Sequence, residues 1–210
     1  MKQSYQNTLG SERTVELEFM FEILSRPAGS KLRILDVGGI PSVPQQMAPI
    51  NRLIIDEGLD YSICDFRGGD FVGDFVSMDF GDNKFDLIIF LSSLEHFPQC
   101  TEGDMAYRDG EDKRGFQKAL SLLNDGGQIL LTVPFGKQRW QPYHQNYDWS
   151  GILDLTAGSS IQESYTYQLV DSTEDKLSGN WVLSDPQTMS ELIYTDRAFG
   201  CGCFLLQKTT

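Results

Sequence analysis

Basic residues are scarce in this chain. Seventeen Lys and Arg stand against thirty Asp and Glu in 210 residues, a formal net charge of -13, and there are only two histidines. Binding nucleic acid requires Lys and Arg to neutralise phosphates, so the composition argues against a polynucleotide partner. An anionic membrane surface is disfavoured on the same ground. Long apolar runs are missing too. Stretches such as Leu87–Leu91 fall far short of the roughly 20 residues that span a bilayer. The opening MKQSYQNTLGSERTVELEFMF carries no apolar core behind its early Lys and does not read as a signal peptide. Four cysteines, Cys64, Cys100, Cys201 and Cys203, match no disulfide framework or zinc knuckle. Reduced thiols and a cytoplasmic setting are the expectation.

What is present alternates between helical and extended patterns over a length that suits one domain, residues 1–210. Residues 11–26 read as a helix with Ser11 as a candidate N-cap and a stripe of Val15, Leu17, Phe19, Met20, Ile23 and Leu24. Short apolar strands are expected at 32–37, 61–65, 71–74, 85–91 and 128–133, with helices at 45–57 and 114–123. Strand, helix and strand in that alternation predict a parallel sheet covered on both faces. Two further strands are expected at 165–170 and 199–207, separated by a loop-rich stretch that contains Trp181.

Three local patterns carry chemistry. Ile34-Leu35-Asp36-Val37-Gly38-Gly39 is a strand ending in a carboxylate and then glycines, which lets backbone approach a ligand closely. The chain continues Ile40-Pro41-Ser42, so the G-x-G-x-x-G fingerprint of nicotinamide enzymes is absent. Asp65, at the end of the next predicted strand and followed by Phe66, is an acceptor-only group able to hold both hydroxyls of a ribose. Asp56 competes for that role and reads more simply as a solvated helix-end charge. In Gly73-Asp74-Phe75, Asp74 is placed to take the exocyclic amine of an adenine and the Phe75 amide to donate to its ring nitrogen. An ordinary turn aspartate is the alternative.

Taken in order with Phe85-Asp86, Leu94-Glu95-His96, Asn124-Asp125-Gly126-Gly127 and Leu131-Thr132-Val133-Pro134, these motifs resemble the class I S-adenosylmethionine-dependent methyltransferases over residues 30–136. The resemblance implies a Rossmann-like, doubly wound α/β fold: a seven-stranded, mostly parallel sheet with an antiparallel last strand. It implies S-adenosyl-L-methionine as cofactor, with Asp36, Gly38 and Gly39 near its methionine part. Asp65 and Phe66 would meet the ribose and Asp74 and Phe75 the adenine, with Leu91, Ser92 and His96 lining the sulfonium side. Around that core lie an N-terminal helical segment (1–30), a lid loop (99–113) and an acceptor-side elaboration (136–198). A looser similarity of the flanks, through Ser11-Glu12-Arg13…Glu16 and Tyr143-His144…Tyr147-Asp148, is to small methyltransferases of glycan biosynthesis. It favours a small-molecule or sugar-linked hydroxyl as acceptor.

Methyl transfer to an alcohol gains from proton removal as the oxygen attacks, and an imidazole has a suitable pKa. His144, on the acceptor side, is the candidate base, with Asp148 as its orienting partner. Asp104, Asp109, Glu111 and Asp112 lack an EF-hand pattern, and no metal is assigned to them. Trp140, Tyr143, Tyr147 and Trp149 suit either stacking on a sugar or covering the sheet edge. Two other readings of the chain stay open: a catalytically silent methyltransferase-like fold that binds a nucleoside ligand or a protein, and, less favoured, a nicotinamide-dependent oxidoreductase.

Overall fold

The computed structural model describes residues 5–7, 12–26, 31–39, 53–98, 109–140, 144–171, 179–193 and 199–209. The expectations for Ser11, Cys100, Asp104, Tyr143 and residues 45–52 lie outside this set. So does the lid loop over 99–108.

The central strands β2 (Arg33–Val37), β5 (Phe85–Leu91) and β6 (Leu123–Pro134) are each built around a short apolar run, Ile34-Leu35, Leu87–Leu91 and Ile129–Leu131. Successive side chains of a strand point to opposite faces, so such a run must be covered on both sides. Ile88 and Phe90 accordingly enter one apolar core with Leu35, Ile129 and Leu131. Leu87 and Ile89 enter the other with Ile34 and Leu130. The first core is closed by α3 (Glu111–Leu122), α4 (Trp149–Leu155) and α5 (Pro186–Ser190), through Phe116, Ile152 and Met189. The second is closed by α1 (Arg13–Leu24) and by α2, residues 53–57. Each fully buried Leu, Ile or Phe contributes about 1.5–3 kcal/mol. Among the described residues no helix is long and apolar enough to cross a membrane.

With β1 (Tyr5–Asn7), β3 (Asp60–Asp65), β4 (Phe71–Val72), β9 (Ser159–Val170), β10 (Gly179–Leu183) and β11 (Gly200–Lys208), the sheet has the order β1-β10-β9-β11-β6-β5-β2-β3-β4. Strands β4, β3, β2, β5 and β6 are parallel neighbours. The last strand, β11, is antiparallel to both β6 and β9, as expected. A hairpin of β7 (Arg139–Trp140) and β8 (Gln145–Asn146) stands apart as a second sheet.

The doubly wound architecture is therefore present, and three details differ from expectation. Among the described residues the sheet has nine strands, because β10 and β1 extend it beyond the expected seven. Trp181 sits on β10, fully buried, and not in a loop; the flanking Gly179-Asn180 hides a strand whose pairing with β9 and β1 is purely tertiary. Helix α3 starts at Glu111 and not at 114. Gly110, at φ 74°, closes the preceding loop in a conformation that favours glycine, and two acids in the first turn suit the helix dipole. Residues 111–113 thus belong to a helix and not to a lid.

The thiols of Cys201 and Cys203 lie on one face of β11, 3.9 Å apart and buried, as their i, i+2 spacing implies. No disulfide involves Cys64, Cys201 or Cys203. The neighbouring Cys203 sulfur and burial both push the Cys201 thiol well above its ordinary pKa, which leaves it inert.

Candidate functional site

The parallel strands end together at their carboxyl edge, where a crevice opens. Its lining includes Gly38, Asp65, Phe66, Asp74, Phe75 and Glu111, around about 400 Å³ of space counted to the mouth. Gly38 has φ 80°, and a Cβ there would stand 2.6 Å from the Cβ of Ser93. A Cβ on Gly39 would overlap the Asp36 carboxylate. Both positions therefore need glycine: the first for its backbone and the close approach of Ser93, the second to leave room for the acid.

Asp36 itself is buried on β2. Tyr61 donates to its Oδ2 at 2.6 Å, while Oδ1 is buried with no hydrogen-bond partner among the described residues. Burial raises the carboxyl pKa to about 6, against the opposing effects of the Tyr61 hydroxyl and Arg13. Asp65 ends β3, its Oδ1 accepting from the Arg67 amide at 2.8 Å. Asp74 also faces the crevice, but its carboxylate accepts from the Val76 amide (3.0 Å) and the Ser77 hydroxyl (3.2 Å). It caps its own turn, so the turn reading of Asp74 holds together with its place at the site. The Phe75 ring packs edge-on against Phe80, Phe90 and Phe97, forming a rigid wall. Glu111, named in the sequence only within the acidic group 104–112, joins the lining and pairs with Arg114 at 2.7 Å. Asp56 is exposed at the end of α2, away from this lining, in keeping with a helix-end charge.

A second polar cluster lies where α1 crosses the carboxyl ends of β5 and β6. Just past Leu91, Ser92 adopts φ 45°, an uncommon conformation for a residue other than glycine. Its amide donates to Thr132 Oγ1 at 2.9 Å, and its hydroxyl donates to Glu16. Thr132 donates to the same Glu16 oxygen at 2.8 Å. Arg13 donates to the other Glu16 oxygen at 3.1 Å and to the Leu91 carbonyl at 3.0 Å. Glu16 is wholly buried, and burial raises its pKa against the pull of Arg13 and the two hydroxyls.

Beside this network a 3-10 turn, Leu94–His96, carries Glu95, 1 % exposed. Burial pushes the Glu95 carboxyl well above its ordinary pKa. One of its oxygens lies 3.8 Å from His96 Nε2, and the other is buried with no partner among the described residues. The rings of His96 and His144 meet edge to face, centroids 6.2 Å apart. Burial lowers the His144 pKa, and the nearby His96 adds to the effect, while Glu12 and Asn146 oppose it. Asn146 approaches His144 without a well-formed hydrogen bond to its buried Oδ1.

The structure thus brings Gly38, Asp65, Phe66, Asp74 and Phe75 into one crevice, while Asp36 and Gly39 lie against each other and outside its lining. His96 and His144 meet just past the carboxyl end of β5, in the segment that Ser92 opens. It does not join Asp148 to His144. The Asp148 carboxylate accepts from the Gly151 amide and the Ser150 hydroxyl, both at 2.8 Å, and so caps α4; an N-cap acid has little reach left. Tyr147 and Trp149 pack against the first core, and Tyr147 donates to Asp112 at 2.7 Å, so neither is a platform for a sugar. Among the described residues no group of three or more His, Cys, Asp or Glu is placed to hold a metal ion. Glu16 and Glu95 are the acids that the motif reading left without a role. Glu16 carried a signal: it sits on the stripe of Phe19, Met20 and Ile23, and a charge on an apolar face demands a buried partner.

No family model matches this sequence, and no curated protein matches it. Solved structures do. The 1,6-didemethyltoxoflavin-N1-methyltransferase of Burkholderia thailandensis, solved with 1,6-didemethyltoxoflavin and S-adenosylhomocysteine, is similar at a TM-score of 0.59 and 13% identity over 95% of this chain and 80% of that one. The N-methyltransferase NodS of Bradyrhizobium japonicum, with S-adenosylhomocysteine, is similar at 0.54 and 14% over 95% and 88%. The [4+2]-cyclase SpnF is similar at 0.51 and 14% over 99% and 87%. Likeness at such identities speaks for architecture and not for chemistry; the chain has the class I, Rossmann-like methyltransferase fold.

Proposed function

We propose that the protein is an S-adenosylmethionine-dependent methyltransferase acting on a hydroxyl of a small-molecule or sugar-linked acceptor. The observation that carries this reading is the crevice at the carboxyl ends of β2 and β3, where Gly38, the strand-end acid Asp65, Asp74 and Phe75 converge. These residues fit the cofactor. Asp36 keeps a buried oxygen in need of a donor, which an amino group would satisfy. Asp65 is an acceptor suited to ribose hydroxyls, and the Phe75 wall suits a flat base. When bound, the cofactor supplies an electrophilic methyl group on a sulfonium.

On the acceptor side His144 takes the hydroxyl proton. Its lowered pKa keeps the imidazole neutral near pH 7, the form a general base needs. Two solved relatives bind S-adenosylhomocysteine, which supports the cofactor. A cyclase on the same fold and the sequence Ile40-Pro41-Ser42 after the paired glycines favour a second reading, a nucleoside-binding fold without methyl transfer.

Calorimetric titration with S-adenosylmethionine and S-adenosylhomocysteine tests the cofactor. Wild type binds both, and Asp65→Ala loses about 1.5–3 kcal/mol, the range for hydrogen bonds to a charged group. Failure of the wild type to bind either ligand at millimolar concentration overturns the proposal. Binding without turnover on any hydroxylated acceptor favours the second reading.

A further inference from the structure

Glu95, His96 and His144 form a chain of side chains that an orphan base does not need. Glu95 is buried and lies against His96 Nε2 at 3.8 Å. The His96 side chain is 41% exposed, and its neighbour His144 is partly exposed as well. The two imidazoles thus stand side by side, the first with a path to solvent and a buried carboxyl behind it. We propose that His96 is the exit for the proton that His144 removes from the acceptor, and that Glu95 is the positioning residue that holds His96 for this task.

The step rests on the methyl-transfer reading and balances simply. The acceptor O–H bond breaks, its oxygen bonds the methyl carbon as the sulfur–methyl bond breaks, and the proton passes to a ring nitrogen of His144. His96 then takes that proton and releases it to solvent. The physical reason for two rings is that one proton fits the pair better than two. Imidazolium charges about 6 Å apart repel strongly in a partly buried setting, so a charge on one ring favours its loss from the other. Among the described residues Glu95 lies beside His96, and Glu12, which precedes α1, lies near His144 together with the uncharged Asn146 of β8. Glu16 and Arg13 stand near Glu95 in turn. A carboxyl set beside an imidazole that serves a neighbour is the logic of an oriented base, and the 3.8 Å separation is one that closes to a hydrogen bond with a small shift.

The chain has only two histidines, so its imidazole proton resonances can be followed individually by NMR between pH 5 and 9, with His96→Gln assigning them. The expected result is coupled titration: His96→Gln raises the His144 midpoint by roughly one pH unit, and Glu95→Gln, which changes the group standing against His96 Nε2, shifts that of His96. Glu95→Asp restores the His96 midpoint at least in part. An unmoved His144 curve in His96→Gln overturns the proposal, even if Glu95→Gln fails to fold, because His96 is half exposed and its replacement leaves the core intact. S-adenosylhomocysteine binding by the same samples is read separately. Loss of that binding with coupling intact counts against the cofactor reading, whereas binding without coupling counts against the relay.

Discussion

Asp36→Asn is expected to make the ligand-free protein more stable above pH 6 while ending nucleoside binding. Burial holds the Asp36 carboxyl at about 6 in the folded chain, against about 3.9 when unfolded. The folded state thus binds this proton more tightly than the unfolded state. The stability linked to it is fully present below about pH 4 and is lost as pH rises through about 6. At pH 8 the ionised group costs up to about 3 kcal/mol, from roughly two pH units at 1.36 kcal/mol each. Asparagine carries no charge, and its Oδ1 still accepts from Tyr61. Urea denaturation of the two proteins at pH 4, 6 and 8 should show a gain that is absent at pH 4 and grows to its maximum by pH 8. An equal difference at pH 4 and pH 8 would remove burial of the charge as its cause. The acid is then retained at a cost in stability, as expected of a group kept for a ligand.

Glu16→Ala should act in the opposite direction, lowering stability by about 2–4 kcal/mol at pH 7. Removing one member of a buried, hydrogen-bonded charge network strands the others. Here the hydroxyls of Ser92 and Thr132 and the Arg13 guanidinium lose their shared acceptor. Ser92 also loses a contact that helps hold its left-handed backbone. Glu16→Gln keeps an oxygen for the hydroxyls and should lose less than half as much. Chemical denaturation with a constant m-value measures both. A loss below about 0.5 kcal/mol for Glu16→Ala, the range of an ordinary surface change, would show that the network contributes little.

Much of the fold was legible because its signal is local. Continuous apolar runs such as Phe85–Leu91 and a carboxylate followed by paired glycines at 36–39 announce parallel strands and a ligand-facing edge without any tertiary knowledge. Strand β10 was not legible. Gly179-Asn180 opens it, and its identity depends on partners far away in sequence. At the site, Asp65 and the glycines were found through chemistry that a spacing can encode. Asp148 was misassigned because a cap and a catalytic partner look alike along a chain; only the Gly151 amide shows which one it is. Glu95 was quoted within its motif and given no task. Nothing in one dimension reveals that a charged residue in a short turn is buried.

The outermost strand has a bearing on how the molecule is made. Strand β1 pairs with β10, Tyr5 opposite Trp181, and α1 follows immediately to reach Ser92 and Thr132. The segment is made before β9 and β10, yet has no sheet edge to join until they have emerged and paired. Contacts between such distant parts of a chain form late and slow the search for the native state. A nascent chain arrested before β9 should therefore hold the β2–β5 crevice residues with β1 undocked, leaving the apolar stripe of α1 open to chaperones until β9 and β10 follow.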